Sequence, residues 1–145
     1  MNDLHRRLDV IEARIAISEL RSRYCWYATR GMRDETLTLF TDDCFFENHR
    51  TAGGTPVSAR GKPALREFMG WMRPASRVPL VTNEVTQVNG DTAEGSCVMQ
   101  SVGDDGFCGH YVDAFLKLGG VWLFSSRRYF PYWPVYNPSP DRRAP

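Results

Sequence analysis

At 145 residues, with 42% hydrophobic and 24% charged residues, the chain has the make-up of one globular domain with room for a core. A formal net charge of +1 leaves no basic footprint of the kind that nucleic acid asks for. No apolar run is long enough to cross a membrane, and the N-terminal MNDLHRRLDVIEARI lacks the apolar centre of a signal peptide, so a cytoplasmic location is expected.

The first predicted element is a long helix over Asp3–Thr29. Leu4, Leu8, Ile11, Ile15, Leu20, Tyr24 and Tyr27 recur at steps of three to five residues and read as one helical stripe. Arg6, Arg7, Arg14, Arg21 and Arg23 fall mostly on the polar side, which reads as a solvated face. Gly31 suits the C-cap. A short second helix follows over Asp34–Phe40, with acidic residues in its first turn where the dipole favours them. Cys44–Arg50 reads as a strand, the segment from Thr51 to Pro56 as a turn, and Val57–Ala59 as a short return strand.

Gly61-Lys62-Pro63 opens a third helix whose apolar face is Leu65, Phe68, Met69 and Met72, and Pro74-Ala75-Ser76 ends it. Strands are predicted over Val78–Val88, Thr92–Val102, Phe107–Leu118 and Val121–Arg128, joined at Asn89-Gly90, Asp105-Gly106 and Gly119-Gly120. Three successive hairpins imply a curved antiparallel sheet, and helices before strands give an α+β class. Beyond Arg128 the chain reads YFPYWPVYNPSPDRRAP, where prolines predict irregular structure. Residues 1–136 are read as one domain, with Tyr129–Tyr136 covering a cavity or an interface, and 137–145 as a disordered tail.

Both faces of the predicted sheet carry apolar residues, among them Val98, Phe115, Val121 and Phe124. The helices can cover only one face, so a homodimer or homotrimer formed through the open face is expected. Cys25, Cys44, Cys97 and Cys108 lack CxxC spacing and read as free thiols. His5, His49 and His110 are far apart and outside any ligand motif, so no metal is expected. Gly53-Gly54 and Gly119-Gly120 are hairpin signals rather than a nucleotide-cradling loop, and no cofactor is expected.

Several stretches carry a family resemblance. A tyrosine late in the first helix, a glycine turn and then LFTDDCFFEN, with ARGKPALREFM, VTNEVTQVNGDTAEG, GHYVDAFLKLGGVW and the Arg127-Arg128 pair, resemble the SnoaL-like branch of the nuclear transport factor 2 superfamily. The resemblance spans roughly residues 8 to 130 and implies a cone-shaped sheet wrapped around the long helix. That superfamily includes scytalone dehydratase, ketosteroid isomerase and polyketide cyclases. In the dehydratase and its relatives an acidic residue late in the first helix pairs with a histidine at the start of the strand after the third helix. Alignment on the shared motifs places Thr29 and Pro79 at those two positions, and neither can do that proton chemistry.

Strand parity sorts the remaining candidates. The resemblance implies that the phase of Tyr111, Asp113 and Phe115 looks inward, while His110 faces the other side. Asp113 is either a general base, its pKa raised by desolvation, or an ion-pair partner of Arg127 or Arg128. Asn83 shares its phase with Pro79 and is either a ligand-orienting amide or a cap within the sheet. Asn48 is set against Glu47 and His49 on the opposite phase. Tyr24 and Tyr27 sit at the cavity end of the first helix and could equally be core.

The function read from these residues is a cofactor-independent lyase or isomerase. Its ligand would be a small hydrophobic, aromatic or polycyclic molecule held in a deep apolar pocket. Tyr24, Tyr111, Asp113 and His49 are the catalytic candidates, with Tyr27, Thr29, Asn48, Trp71, Asn83 and Trp122 as substrate-binding candidates. The alternatives are a non-catalytic small-molecule-binding or assembly domain of the same fold, or the small subunit of a ring-hydroxylating dioxygenase. No nucleic-acid or membrane partner is expected.

Overall fold

The structure, a computed structural model, describes residues 2–50, 55–75, 77–102 and 106–133. Residues 51–54 of the expected turn over 51–56, residue 105 of the expected hairpin turn, and the segment 134–145, with the disorder expected over 137–145, lie outside the described residues. The chain runs α1 (Asp3–Arg30), α2 (Arg33–Leu37), β1 (Phe40–Asn48), β2 (Val57–Arg60), α3 (Gly61–Phe68), a 3-10 turn (Met69–Trp71), β3 (Val78–Asn89), β4 (Thr92–Val102), β5 (Phe107–Leu118) and β6 (Val121–Trp133). The six strands form one sheet in the order β2-β1-β6-β5-β4-β3. Among the described residues only β1 and β6 pair in parallel; every other pair is antiparallel. The α+β class and the curved sheet wrapped on a long helix are what the sequence implies.

Helix α1 begins at Asn2, whose side chain accepts the Leu4 backbone N–H, and ends at Gly31 in the left-handed region (φ 70°). A side chain at Gly31 would collide with Pro74, so the cap also allows close approach of the segment after the 3-10 turn. The core face of α1 is Ala13, Ile17, Leu20, Tyr24 and Ala28. Leu4, Leu8, Ile11 and Ile15 do not belong to it, contrary to the single stripe read from the sequence; all four are exposed. The five-residue step from Ile15 to Leu20 turns the helix by about 140°, enough to move the pattern to the opposite face.

Arg21, read as part of a solvated face, is fully buried. Phe115 and Phe124 pack inside the sheet against the helix and not on its outer face, whereas Val121 is exposed. Strand β1 starts at Phe40 instead of Cys44. Phe40 pairs with Phe124 and is fully buried, and a bulge before Phe45 takes up the turn-like Asp42-Asp43. Strand β6 continues five residues past Arg128, through Pro131, where irregular structure was expected. Its neighbour β1 has ended at Asn48, opposite Tyr129, and a register shift on the β5 side falls between Cys108 and Gly109. A proline is tolerated at such an edge because no ladder bond needs its missing N–H.

The alternation along β5 is regular: Phe107, Gly109, Tyr111, Asp113 and Phe115 are buried, and the residues between them are more open. This phase, together with Phe46 and Asn48 on β1 and Tyr129 on β6, sets which side chains meet inside the cone.

Candidate functional site

The wide end of the cone holds a cavity of about 40 Å³, counted as space open to the centre of a water-sized sphere. On that measure it has room for roughly three waters. Seven elements contribute walls: Tyr24 from α1, Phe46 and Asn48 from β1, Phe68 from α3, Pro79 from β3, Met99 and Ser101 from β4, Phe107 and Tyr111 from β5, and Tyr129 from β6, with Trp71 and Arg77 at the connection. Most of this surface is ring or thioether. The polar groups it presents are three phenols, an alcohol, an amide and one guanidinium.

The three phenols form a row. The Tyr24 and Tyr111 rings stand edge to face at 6.1 Å between centroids, and Tyr111 and Tyr129 lie 5.4 Å apart. Backbone register brings the last pair together, since Tyr111 and Tyr129 are direct cross-strand partners. Gly109 is required here: a Cβ at that position would strike the Tyr129 ring and hydroxyl. Burial pushes the Tyr24 hydroxyl up to about 12, against a lowering by Arg127 and by hydrogen bonding to Tyr111. Burial likewise holds Tyr111 well above the usual phenol range, and Tyr129 is raised for the same reason. All three therefore remain protonated donors at neutral pH. The Tyr129 hydroxyl is buried with no hydrogen-bond partner among the described residues. A buried polar group left so is costly, and a ligand oxygen or a water would relieve it.

Beneath the tyrosines lies a charge network. The Arg127 guanidinium sits 3.8 Å from the Tyr111 ring centroid and 4.5 Å from that of Tyr24. Its Nε donates to Asp113 Oδ1 at 2.8 Å and its Nη2 to Oδ2 at 2.9 Å. Arg21 Nε donates to the same Oδ2 at 3.0 Å, and Arg21 Nη1 continues to Glu84 at 3.1 Å and Thr86 at 3.0 Å. Arg21, Asp113 and Arg127 are all fully enclosed. Burial alone would lower the Arg127 pKa, but the adjacent Asp113 carboxylate more than reverses this and raises it. Gly95 makes room for the network, because a Cβ there would meet Arg21 and the bulged backbone of β3.

The structure thus brings Tyr24, Tyr111, Asn48 and Trp71 of the sequence candidates to one cavity. Asp113 is not among its walls; both of its oxygens are engaged by arginines, which is the ion-pair alternative, extended to Arg21. His49 lies on the outer face, its Nε2 2.6 Å from Glu47 and its ring stacked 4.3 Å from Phe130. The Thr29 hydroxyl donates back to the Cys25 carbonyl at 2.9 Å within the helix. Tyr27 packs half-buried against the core, and Trp122 is buried near the β5–β6 turn, opposite Lys117. Asn83 sits exposed at the β3 bulge with φ 51°, an orientation its short amide tolerates. Pro79, placed by the resemblance where a histidine would be, does line the cavity.

Sequence reasoning missed Phe107, Ser101 and Arg77 as walls and Arg21 as part of the support; it offered Arg127 as one ion-pair partner of Asp113, and Tyr129 only as part of a segment covering a cavity or an interface. Tyr129 could have been found by carrying the inward phase of Arg127 two residues on, had the strand not been ended at Arg128. Among the described residues no three His, Cys, Asp or Glu side chains group as metal ligands. None of the helices is long and apolar enough to cross a membrane among the described residues.

The sequence pattern of the SnoaL-like domain family matches residues 9–128. A solved protein of unknown function from Mycobacterium tuberculosis is 26% identical, with a TM-score of 0.72 over 90% of this chain and 76% of that one. A candidate scytalone dehydratase from Novosphingobium aromaticivorans is 20% identical over 85% of each chain, with a TM-score of 0.69. LinA is similar in fold, with a TM-score of 0.76, 17% identity, and coverage of 88% of this chain and 90% of its own. No protein of curated function matches the chain.

Proposed function

The chain belongs to the SnoaL-like domain family, and from that premise we propose that it binds a small ring compound bearing an oxygen acceptor, held by tyrosine hydroxyl donors at the wide end of the cone. The observation that carries this reading is the row of Tyr24, Tyr111 and Tyr129, protonated and buried, the last with an orphaned hydroxyl facing apolar walls. Such a site favours a carbonyl or phenolic oxygen set in an apolar body. The cavity volume suits a single ring better than a polycyclic skeleton. The test is calorimetry against single-ring phenols and cyclic ketones beside their oxygen-free isosteres. A site built on donors should bind the oxygenated members at least about tenfold more tightly, because the isostere leaves buried donors unpaired. Equal affinity for both sets would reject the proposal.

A second reading, a cofactor-independent lyase or isomerase, is favoured by the Arg127 guanidinium stacked on the Tyr111 and Tyr24 rings. A fixed positive charge behind two phenol donors stabilises negative charge that develops on a bound oxygen. In this reading the tyrosines are the donors, Asp113 positions Arg127, and the proton leaves to a water admitted to the cavity, since no carboxylate or imidazole is among its described walls. Deuterium incorporation beside the oxygen-bearing carbon of a bound ketone in heavy water would support turnover. A tight-binding ketone that exchanges no faster than in buffer would leave binding alone.

A further inference from the structure

The open side of the cavity carries positive charge that the phenols do not account for. Asn48, Trp71 and Arg77 are among its half-buried walls and mark where it meets solvent. Arg50 stands beside them. It lies two residues beyond the end of β1, and its backbone N–H is accepted by Asn48 Oδ1 at 2.8 Å, a short side-chain turn that fixes the chain where the strand stops. The Arg50 guanidinium carbon lies 4.0 Å from the centre of the Phe107 ring, which opens β5. Arg77, the residue before β3, lies 4.5 Å from the Trp71 ring and 5.8 Å from the same Phe107 ring. Three strand ends thus bring two guanidiniums to one aromatic wall.

The walls supply no counter-charge, for no Asp or Glu is among those described. None of the ion pairs among the described residues involves Arg50. Its Nε is buried and has no hydrogen-bond partner there. Stacking on Phe107 holds the guanidinium plane and consumes none of its N–H donors, which point outward along the edges of the fork. The orphaned hydroxyl of Tyr129 belongs to the same neighbourhood. Its ring meets Phe107 edge to face at 5.9 Å. The charge of Arg50 acts on that phenol, lowering its pKa against the larger rise from burial. A cation and a neutral hydroxyl, both short of an acceptor, therefore flank one ring. The deeper arginines do not share this need for an anion, because Asp113 and Glu84 already match Arg21 and Arg127 in charge.

We propose that this rim is a carboxylate subsite, so that the ligand is a ring acid whose carboxylate is held by Arg50 and Tyr129 beside Phe107, with Arg77 adding the second positive charge. The inference rests on the reading that the cavity holds a small ring compound, and it narrows that class to acids. A carboxylate is favoured over a phosphate because it fills a guanidinium fork with two in-plane oxygens and asks for no cradle of backbone N–H groups. Its place at the rim leaves the cavity volume to the ring and the deeper phenols to an oxygen at the ring's far end.

The test is calorimetry on the full chain with meta- and para-hydroxybenzoate, each beside its amide, a neutral isostere of nearly the same shape. The better acid should bind at least about tenfold more tightly than its amide. That preference should shrink several-fold between about 0.05 and 0.5 M salt, while the amide's affinity stays level. Arg50→Met should abolish the preference and leave amide affinity within about twofold, with the melting temperature as the control; Arg50→Lys, which keeps the charge, should retain part of it. Should Arg50→Met fail to fold, Arg77→Met and the salt series make the same test, the acid weakening at least about threefold and the amide not at all. An acid that binds no better than its amide, or a preference that survives both substitutions, overturns the subsite. In that case phenol outbinding benzene would leave the tyrosine reading standing. Benzoate binding as tightly as the hydroxybenzoates would do the reverse, supporting the carboxylate subsite and rejecting the phenols as ligand donors.

Discussion

Two regions of the cone treat polar groups in opposite ways. At its wide end, three phenols line a cavity and one of them has no partner. A few ångströms deeper, Arg21, Asp113 and Arg127 are as thoroughly buried, but the carboxylate accepts three bonds from two guanidiniums. The carboxylate is saturated by the two guanidiniums, each of which keeps one further buried nitrogen without a partner among the described residues, while the phenols face the cavity and the Tyr129 hydroxyl is left for a ligand. Strong fixed charges inside a protein must be neutralised on the spot; a phenol can be buried more cheaply and remain available. The inner network is therefore read as scaffold and the outer row as the binding surface, and variants can separate the two.

The largest effect is expected from Asp113→Asn. Removing the carboxylate leaves the buried Arg127 guanidinium without a counter-charge and Arg21 with only the partly exposed Glu84, which should cost about 3–5 kcal/mol of stability. A melting temperature lower by roughly 10 °C or more follows, while affinity per folded molecule stays close to the parent's. If Asp113→Asn melts normally and loses ligand, the two regions have been assigned the wrong way round.

Next in size is the alkaline limit. Tyr24 is raised from 10.0 to about 12 in the folded chain. Above pH 10 the unfolded chain releases this proton while the folded chain keeps it, so unfolding is increasingly favoured up to about pH 12. Stability from this group is fully present below pH 10 and is lost across that window, on the order of 2–3 kcal/mol. Denaturant midpoints between pH 8 and pH 11.5 should fall for the parent and fall less steeply for Tyr24→Phe; parallel curves would show that the hydroxyl is not held as described.

The smallest effect is expected at Thr29, which the family resemblance aligns with an acidic position of the dehydratase. Its hydroxyl bonds the Cys25 carbonyl within α1 and is not a cavity wall. Thr29→Val should change stability by less than about 0.5 kcal/mol and ligand affinity by less than twofold. A tenfold loss of affinity would extend the cavity to that side of the helix.

Much of this division was legible in sequence. The alternation in GHYVDAF set Tyr111 and Asp113 on one face, the family resemblance implied that this face looks inward, and register then carried both into place. What separated their roles was not legible. Asp113 is neutralised by Arg21, a residue 92 positions away on a helix face that looks solvated until β5 is laid against it. The helical stripe misled for a local reason, since one step of five residues splits it into a core face and an outward face. Tyr129 was lost because prolines after Arg128 suggested a break, whereas β1 had already ended and Pro131 had no ladder bond to forfeit.

The central claim is that tyrosine hydroxyls, not the buried carboxylate, hold the ligand. It is tested most directly by titrating the tightest-binding phenol or cyclic ketone into the Tyr24→Phe/Tyr111→Phe protein in a calorimeter. Loss of two donors should weaken binding at least about tenfold, with a melting temperature within a few degrees of the parent. An affinity equal to the parent's would contradict the claim.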